Sequence, residues 1–86
     1  MTDINEILAE REKTHGDYHK QAFSAQELKS IMRSMPNWCD MDLPIKEALE
    51  MIGTKIARMG HGEWKDKQHA EDISGYAMLV VRELEK

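Results

Sequence analysis

An all-α bundle of about four helices is the fold this chain predicts, and three observations carry it. Apolar residues recur at three- and four-residue spacing through four stretches. Gly, Pro and Asp residues placed as helix stops and caps separate those stretches. No credible strand pair is present, because the apolar run Leu79, Val80 and Val81 is short and flanked by helix formers.

Asp3 followed by Glu6 resembles a capping pair, and Ile4, Ile7, Leu8 and Arg11 then fall at helical spacing, predicting a helix over about 4–13. Thr14, His15, Gly16 and Asp17 break that pattern in a tight turn, with Gly16 suited to the left-handed conformation that ends helices. Ala22, Phe23, Leu28, Ile31, Met32 and Met35 predict a second helix from Tyr18 to Met35 with a less regular stripe. Pro36 stops it, and Asn37 to Asp42 forms a connector carrying Trp38 and Cys39. Asp42 is placed to cap a third helix over about 43–60, with Pro44 tolerated in its first turn. Its expected buried face is Ile45, Ala48, Leu49, Ile52, Ile56 and Met59, and Gly60, His61 and Gly62 end it. The fourth helix starts between Asp66 and Ala70 and buries Ile73, Tyr76, Ala77, Val80 and Leu84. The short glycine-containing connection between helices three and four predicts that they pack antiparallel.

At 86 residues the chain is read as a single all-α domain, 1–86, whose small core gains from homo-oligomerisation. Cys39 is the lone cysteine, so no disulfide framework is available and a reducing, cytoplasmic setting is expected. No apolar run spans a bilayer and no charged-then-apolar leader is readable, which argues against a membrane partner. Sixteen acidic residues against 12 Lys plus Arg, a net charge of -4 with both signs interspersed, argue against DNA or RNA binding. A small phosphate-bearing ligand needs only a few local cations and stays compatible with that charge.

On wheels of about 100° per residue, Lys55 falls at the edge of the third helix's buried face, while Glu47, Glu50 and Arg58 point away from its centre. His69, Asp72 and Tyr76 line one flank of the fourth helix's stripe. Lys55 and Asp72 can therefore meet as a partly buried ion pair. In the sharper reading Lys55 or Arg58 meets a phosphate and Asp72 holds a metal. Glu47 and Glu50, one turn apart, can share a divalent cation such as Mg²⁺, though glutamates at this spacing are commonplace on solvated helices. His15 and His19 are four apart, but Gly16 between them argues against a zinc site. His61 is expected to be exposed in its turn, and His69 is the histidine placed near a site. Tyr76 reads most simply as a core aromatic whose hydroxyl reaches the edge. The seven methionines and two tryptophans suit packing gaps and a subunit interface, with Trp38 and Met41 available to anchor a partner.

The segments Arg11 to Tyr18 (REKTHGDY), Lys55 to Arg58 (KIAR) and Asp72 to Ala77 (DISGYA) together resemble a family of small phage and prophage proteins of unassigned function. That family is in turn similar to the all-α, MazG-like nucleoside triphosphate pyrophosphohydrolases. The resemblance implies an oligomeric helical bundle in which paired carboxylates hold Mg²⁺. Carried over by position, it would assign Glu47, Glu50 and Asp72 to the metal. Beside that assignment, Lys55 and Arg58 are expected to offset phosphate charge, with His69 and Tyr76 near the ligand. Where that group has a glutamate three residues before the aspartate, this chain has His69, a poor ligand for Mg²⁺. Two functions are therefore expected in competition. One is a nucleotide-handling protein that cleaves a nucleoside triphosphate with Mg²⁺ and water. The other is a non-catalytic helical module that sequesters a nucleotide or binds a host or phage protein.

Overall fold

The computed structural model describes residues 3–86, and all regular structure among them is helical. Four α-helices follow in order: α1 (Ile4–His15), α2 (Tyr18–Arg33), α3 (Leu43–His61) and α4 (Lys67–Leu84). A short 3₁₀ turn, Trp38–Asp40, lies between α2 and α3. The expected boundaries hold within two residues, because the residues that set them act locally.

Three of the four starts are capped by aspartate side chains accepting a backbone N–H. Asp3 accepts from Asn5 at 3.0 Å, Asp17 from Lys20 at 3.2 Å and Asp66 from Gln68 at 3.0 Å. Asp42 holds the capping position of α3 in extended conformation, yet its side chain makes no capping bond there. Pro44 at the start of α3 reduces the number of free N–H groups that need a cap. Ser34 ends α2, its hydroxyl donating back to the Ile31 carbonyl at 2.6 Å, and Pro36 follows.

α3 is the central element. It packs along α4 on one side and α2 on another, and touches α1 near its C-terminal end; α2 and α4 have no comparable contact with each other. The seam between α2 and α3 is made of small residues. Ala25 and Ala57 are buried, and Gly53 brings the α3 backbone close enough that a Cβ would sit 3.5 Å from Met32 Sδ. Ile45, Ala48 and Trp38 complete the buried apolar set. Trp38, read both as a filler of packing gaps and as an anchor available to a partner, is 9% exposed and fills the core.

The expected stripes are only partly covered. On α3, Ile45 and Ala48 are buried, Leu49, Ile52 and Met59 are half-buried, and Ile56 is 47% exposed. On α4, Ile73, Tyr76 and Val80 are half-buried while Ala77 and Leu84 are exposed. The one fully buried residue of α4 is His69, 3% exposed, which periodicity had placed on a flank. The physical reason is that α4 meets α3 along a single side, so the helix buries the line of residues facing that neighbour and little else.

The two glycine turns lock together. Gly16 ends α1 with φ 84° and ψ -173°, positive in φ as expected but extended in ψ. A side chain there would run into the His61 backbone, and one on Gly62 would run into the Thr14 carbonyl. With both side chains missing, the turns approach closely enough for Glu63 N–H to donate to Thr14 O at 3.0 Å. The α1–α2 turn is thereby fastened to the α3–α4 turn.

Candidate functional site

That fastening organises the histidines. Thr14 O also accepts from His69 Nε2 at 3.3 Å, so the imidazole of α4 carries its proton on Nε2 and is held by the α1 terminus. The His15 ring lies beside it, with centroids 5.8 Å apart and planes tilted by 56°. His15 and His19, considered as a pair from their spacing, are separated in role: His19 packs edge-on against Tyr18, while His15 turns inward toward His69. His61 is exposed as expected, but its Nε2 is engaged with Ser24 Oγ at 2.7 Å.

The residues expected to carry chemistry fall into separate groups. Lys55 Nζ meets Asp72 Oδ2 at 3.0 Å, and Gln68 Nε2 donates to Asp72 Oδ1 at 2.8 Å, so both carboxylate oxygens have partners. The Lys55 bond and then the Gln68 bond hold the Asp72 carboxyl below its ordinary range. The side chains of Lys55 and Asp72 are 14% and 30% exposed, which makes this the partly buried ion pair foreseen between the helices. Glu50 is bound by the Arg33 guanidinium of α2 through both Nε and a terminal nitrogen. Glu47 is exposed on α3. Among the described residues no three His, Cys, Asp or Glu side chains gather as a group able to hold a metal ion. Of Glu47, Glu50 and Asp72, two are therefore paired with cations of their own, and Glu47 stands exposed and apart from them. Tyr76 is half-buried beside Lys55, Glu71 and Asp72 along a shallow depression that also takes in Gly75 and Leu79.

Arg58 belongs elsewhere. It lines a cleft of about 610 Å³ with Arg11, Glu12 and His15 of α1 and Tyr18 and Gln21 of α2, floored in part by Leu8 and Gly16. The Arg58 Nε is buried and has no hydrogen-bond partner. A buried guanidinium nitrogen left unpaired costs free energy that native structures normally avoid, so its position is informative. Neither Arg11 nor Arg58 is in an ion pair among the described residues. Burial, and then the charges of Arg58, His69, Lys55 and Arg11, push the His15 imidazole below its ordinary value of 6.5. The cleft therefore carries two arginine cations against one carboxylate, Glu12.

Of the residues that build this cleft, only Arg58 was foreseen as a ligand contact. Arg11 and His15 are four apart on α1 and so share a face, which is a readable signal. Gly16 breaks the helical pattern directly after His15, so spacing alone marks a turn there and not the last turn of α1. Tyr18 and Gln21 reach the cleft from the first turn of α2, just past the Gly16 turn. The chain matches no protein-family model, no curated protein and no solved structure.

Proposed function

We propose that this chain is a helical, nucleotide-handling module that takes the phosphate end of a small ligand in the cleft between α1, α2 and α3. The observation that carries the proposal is the Arg58 guanidinium, buried at Nε and unpaired, facing the same cavity as the unpaired Arg11. Guanidinium groups are planar forks that match phosphate oxygens, and their hydrogen bonds to an anion are stronger than neutral ones. A phosphate here would accept from the Arg58 terminal nitrogens, which make no hydrogen bond among the described residues. It also reverses the field around His15, whose protonated ring would then donate a further bond. Tyr18 at the mouth offers an aromatic face to a base. In this reading α3 and α4 run antiparallel, and Lys55 and Asp72 hold that pair together instead of touching the ligand. The resemblance to phage and prophage proteins, and through them to nucleotide hydrolases, supports a nucleotide as the phosphate bearer and the host cytoplasm as its setting.

The competing reading is Mg²⁺-dependent cleavage of a nucleoside triphosphate at Glu47, Glu50 and Asp72. It requires Glu50 to leave Arg33, Asp72 to leave Lys55, and further carboxylates to come from another subunit.

Thermal shift and calorimetry with dATP, dUTP and inorganic pyrophosphate, each with and without Mg²⁺, separate the two. Stabilisation without metal that Arg58→Met abolishes supports the cleft. Stabilisation only with metal, lost in Glu50→Gln together with pyrophosphate release, supports the hydrolase. No stabilisation by any of the three compounds removes both.

A further inference from the structure

Gln21 is a polar side chain in a place that packing alone would give to an apolar one. It stands one turn before Ala25, and these two are the buried residues of α2. The line they begin continues through the half-buried Leu28 and Met32, so a leucine at 21 would simply extend the seam. The glutamine is 6% exposed, and among the described residues its side-chain amide makes no hydrogen bond. A buried amide without a partner is unfavourable, and folded proteins keep such a group where something else completes its bonding. What little of Gln21 stays open lines the Arg11–Arg58 cleft.

The polar groups of the cleft are of two kinds. Arg11 and Arg58 are cations, and His15 can take a proton when an anion sits beside it. Glu12, when ionised, only accepts hydrogen bonds, whereas the neutral Gln21 donates and accepts at once. A bare anion uses the first kind alone; an anion tied to a neutral polar body uses both. Charge limits how many phosphates that ligand carries. Two arginines less one carboxylate leave one positive charge on the lining, and a proton on His15 makes two. A phosphate monoester near neutral pH carries about -1.5 to -2, which these groups balance, and each further phosphate adds charge that they do not. The volume of about 610 Å³ lies within the roughly 300–1,000 Å³ of small-molecule sites.

We infer that the cleft selects a sugar carrying a single phosphate, and that Gln21 selects it by exchanging hydrogen bonds with the sugar hydroxyls while Arg11 and Arg58 hold the phosphate. This rests on the phosphate reading of the cleft and adds the body to which the phosphate is attached. An apolar ester is rejected because it leaves the buried amide unpaired, and a site that hydrogen-bonds a ligand hydroxyl discriminates strongly against the analogue lacking it. Glu12 favours the same ligand, since a carboxylate needs hydroxyl hydrogens to accept. Tyr18 lies beyond these groups, exposed at the mouth. A free sugar phosphate and a nucleoside monophosphate therefore present the same chemistry to Gln21, and differ in whether a base reaches Tyr18.

Calorimetry on the full chain in EDTA tests this with inorganic phosphate, propyl phosphate, ribose 5-phosphate, uridine monophosphate and uridine triphosphate. Ribose 5-phosphate and uridine monophosphate should each bind at least about 10-fold more tightly than propyl phosphate or inorganic phosphate. Gln21→Leu should bring both down to the affinity of propyl phosphate. Equal binding of the two sugar esters supports the inference with the sugar phosphate as the whole ligand; tighter binding of uridine monophosphate, still dependent on Gln21, supports it with a nucleoside as the source. Ribose 5-phosphate no tighter than propyl phosphate overturns it, as does a Gln21→Leu protein that keeps the preference, or a triphosphate that binds more tightly than the monophosphate. Should Gln21→Leu fail to fold, the comparison of ribose 5-phosphate with propyl phosphate on the unaltered chain decides. Phosphate held through Arg58 without gain from the sugar sinks this inference and leaves the cleft reading standing. No binding by any of the five, or binding that Arg58→Met does not weaken, removes both.

Discussion

Replacing Gly16 by alanine tests the joint on which both the fold and the cleft rest. The glycine adopts φ 84° with ψ -173°, a region nearly closed to residues with a side chain, at a cost of about 1–3 kcal/mol. The new methyl would also strike the His61 backbone, so relief requires the two turns to separate. Separation breaks the bond from Glu63 N–H to Thr14 O, worth about 1 kcal/mol, and strips the buried His69 imidazole of its acceptor. The sum is about 3 kcal/mol, against a total stability of roughly 5–15 kcal/mol for a protein domain. In a chain of this size that is a fall in Tm of about 12–24 °C. Circular dichroism melts at one fixed protein concentration measure it, with Gly60→Ala as the control. Gly60 sits inside α3 with open space around it, so alanine there should be neutral or stabilise by up to about 1 kcal/mol through helix propensity. A Gly16→Ala protein within about 0.5 kcal/mol of wild type would show that the turns are not locked, and the account of His69 would fall with it.

Arg58→Met should leave stability unchanged or raise it, since it removes a buried nitrogen without a partner, while weakening phosphate binding by about 10- to 100-fold in calorimetry. Equal affinity in the variant would show that the cleft is not the anion site. His15 binds its proton less readily in the fold than in the unfolded chain. Stability is thus complete above the ordinary value of 6.5, declines as pH falls through and below it, and levels off beneath the folded-state value. Urea titrations between about pH 7.5 and 5 should show that decline, reduced in His15→Gln, and bound phosphate should diminish it by favouring the protonated ring. Asp72 behaves in the same direction at lower pH: its contribution is present above 3.8 and is lost as pH falls through its depressed folded-state value. Asp72→Leu alone should destabilise more than Asp72→Leu with Lys55→Met, because the single change leaves a mostly buried ammonium unpaired. Additive effects in that double-mutant cycle would refute the pairing.

How far the residues alone could be read follows from the reach of each interaction. Asp3, Asp17 and Asp66 cap helices within three residues of themselves, and Gly16, Pro36 and Gly62 end or interrupt them by their own backbone preferences, so the boundaries were legible. Lys55 and Asp72 were legible as well, because two adjacent helices joined by a short turn have few ways to face each other. His69 was misplaced because an imidazole was counted as polar and its acceptor, the Thr14 carbonyl, lies 55 residues away in sequence. Trp38 is a connector aromatic with no periodicity to mark it as core, so the sequence leaves it open between packing and a partner contact.

Sequence determined four helices, their limits and the Lys55–Asp72 pair, since those depend on local backbone energetics, helical spacing and one short turn. Tertiary structure decided which faces are covered. Packing of α1 at the end of α3 and of α2 along it brings Arg11, His15 and Arg58 around one cavity and gives Glu50 the Arg33 guanidinium, while the Ile56 side stays exposed. Such groupings arise from contacts between distant segments, where a few ångströms of helix placement separate a neutralised charge from one left without a partner.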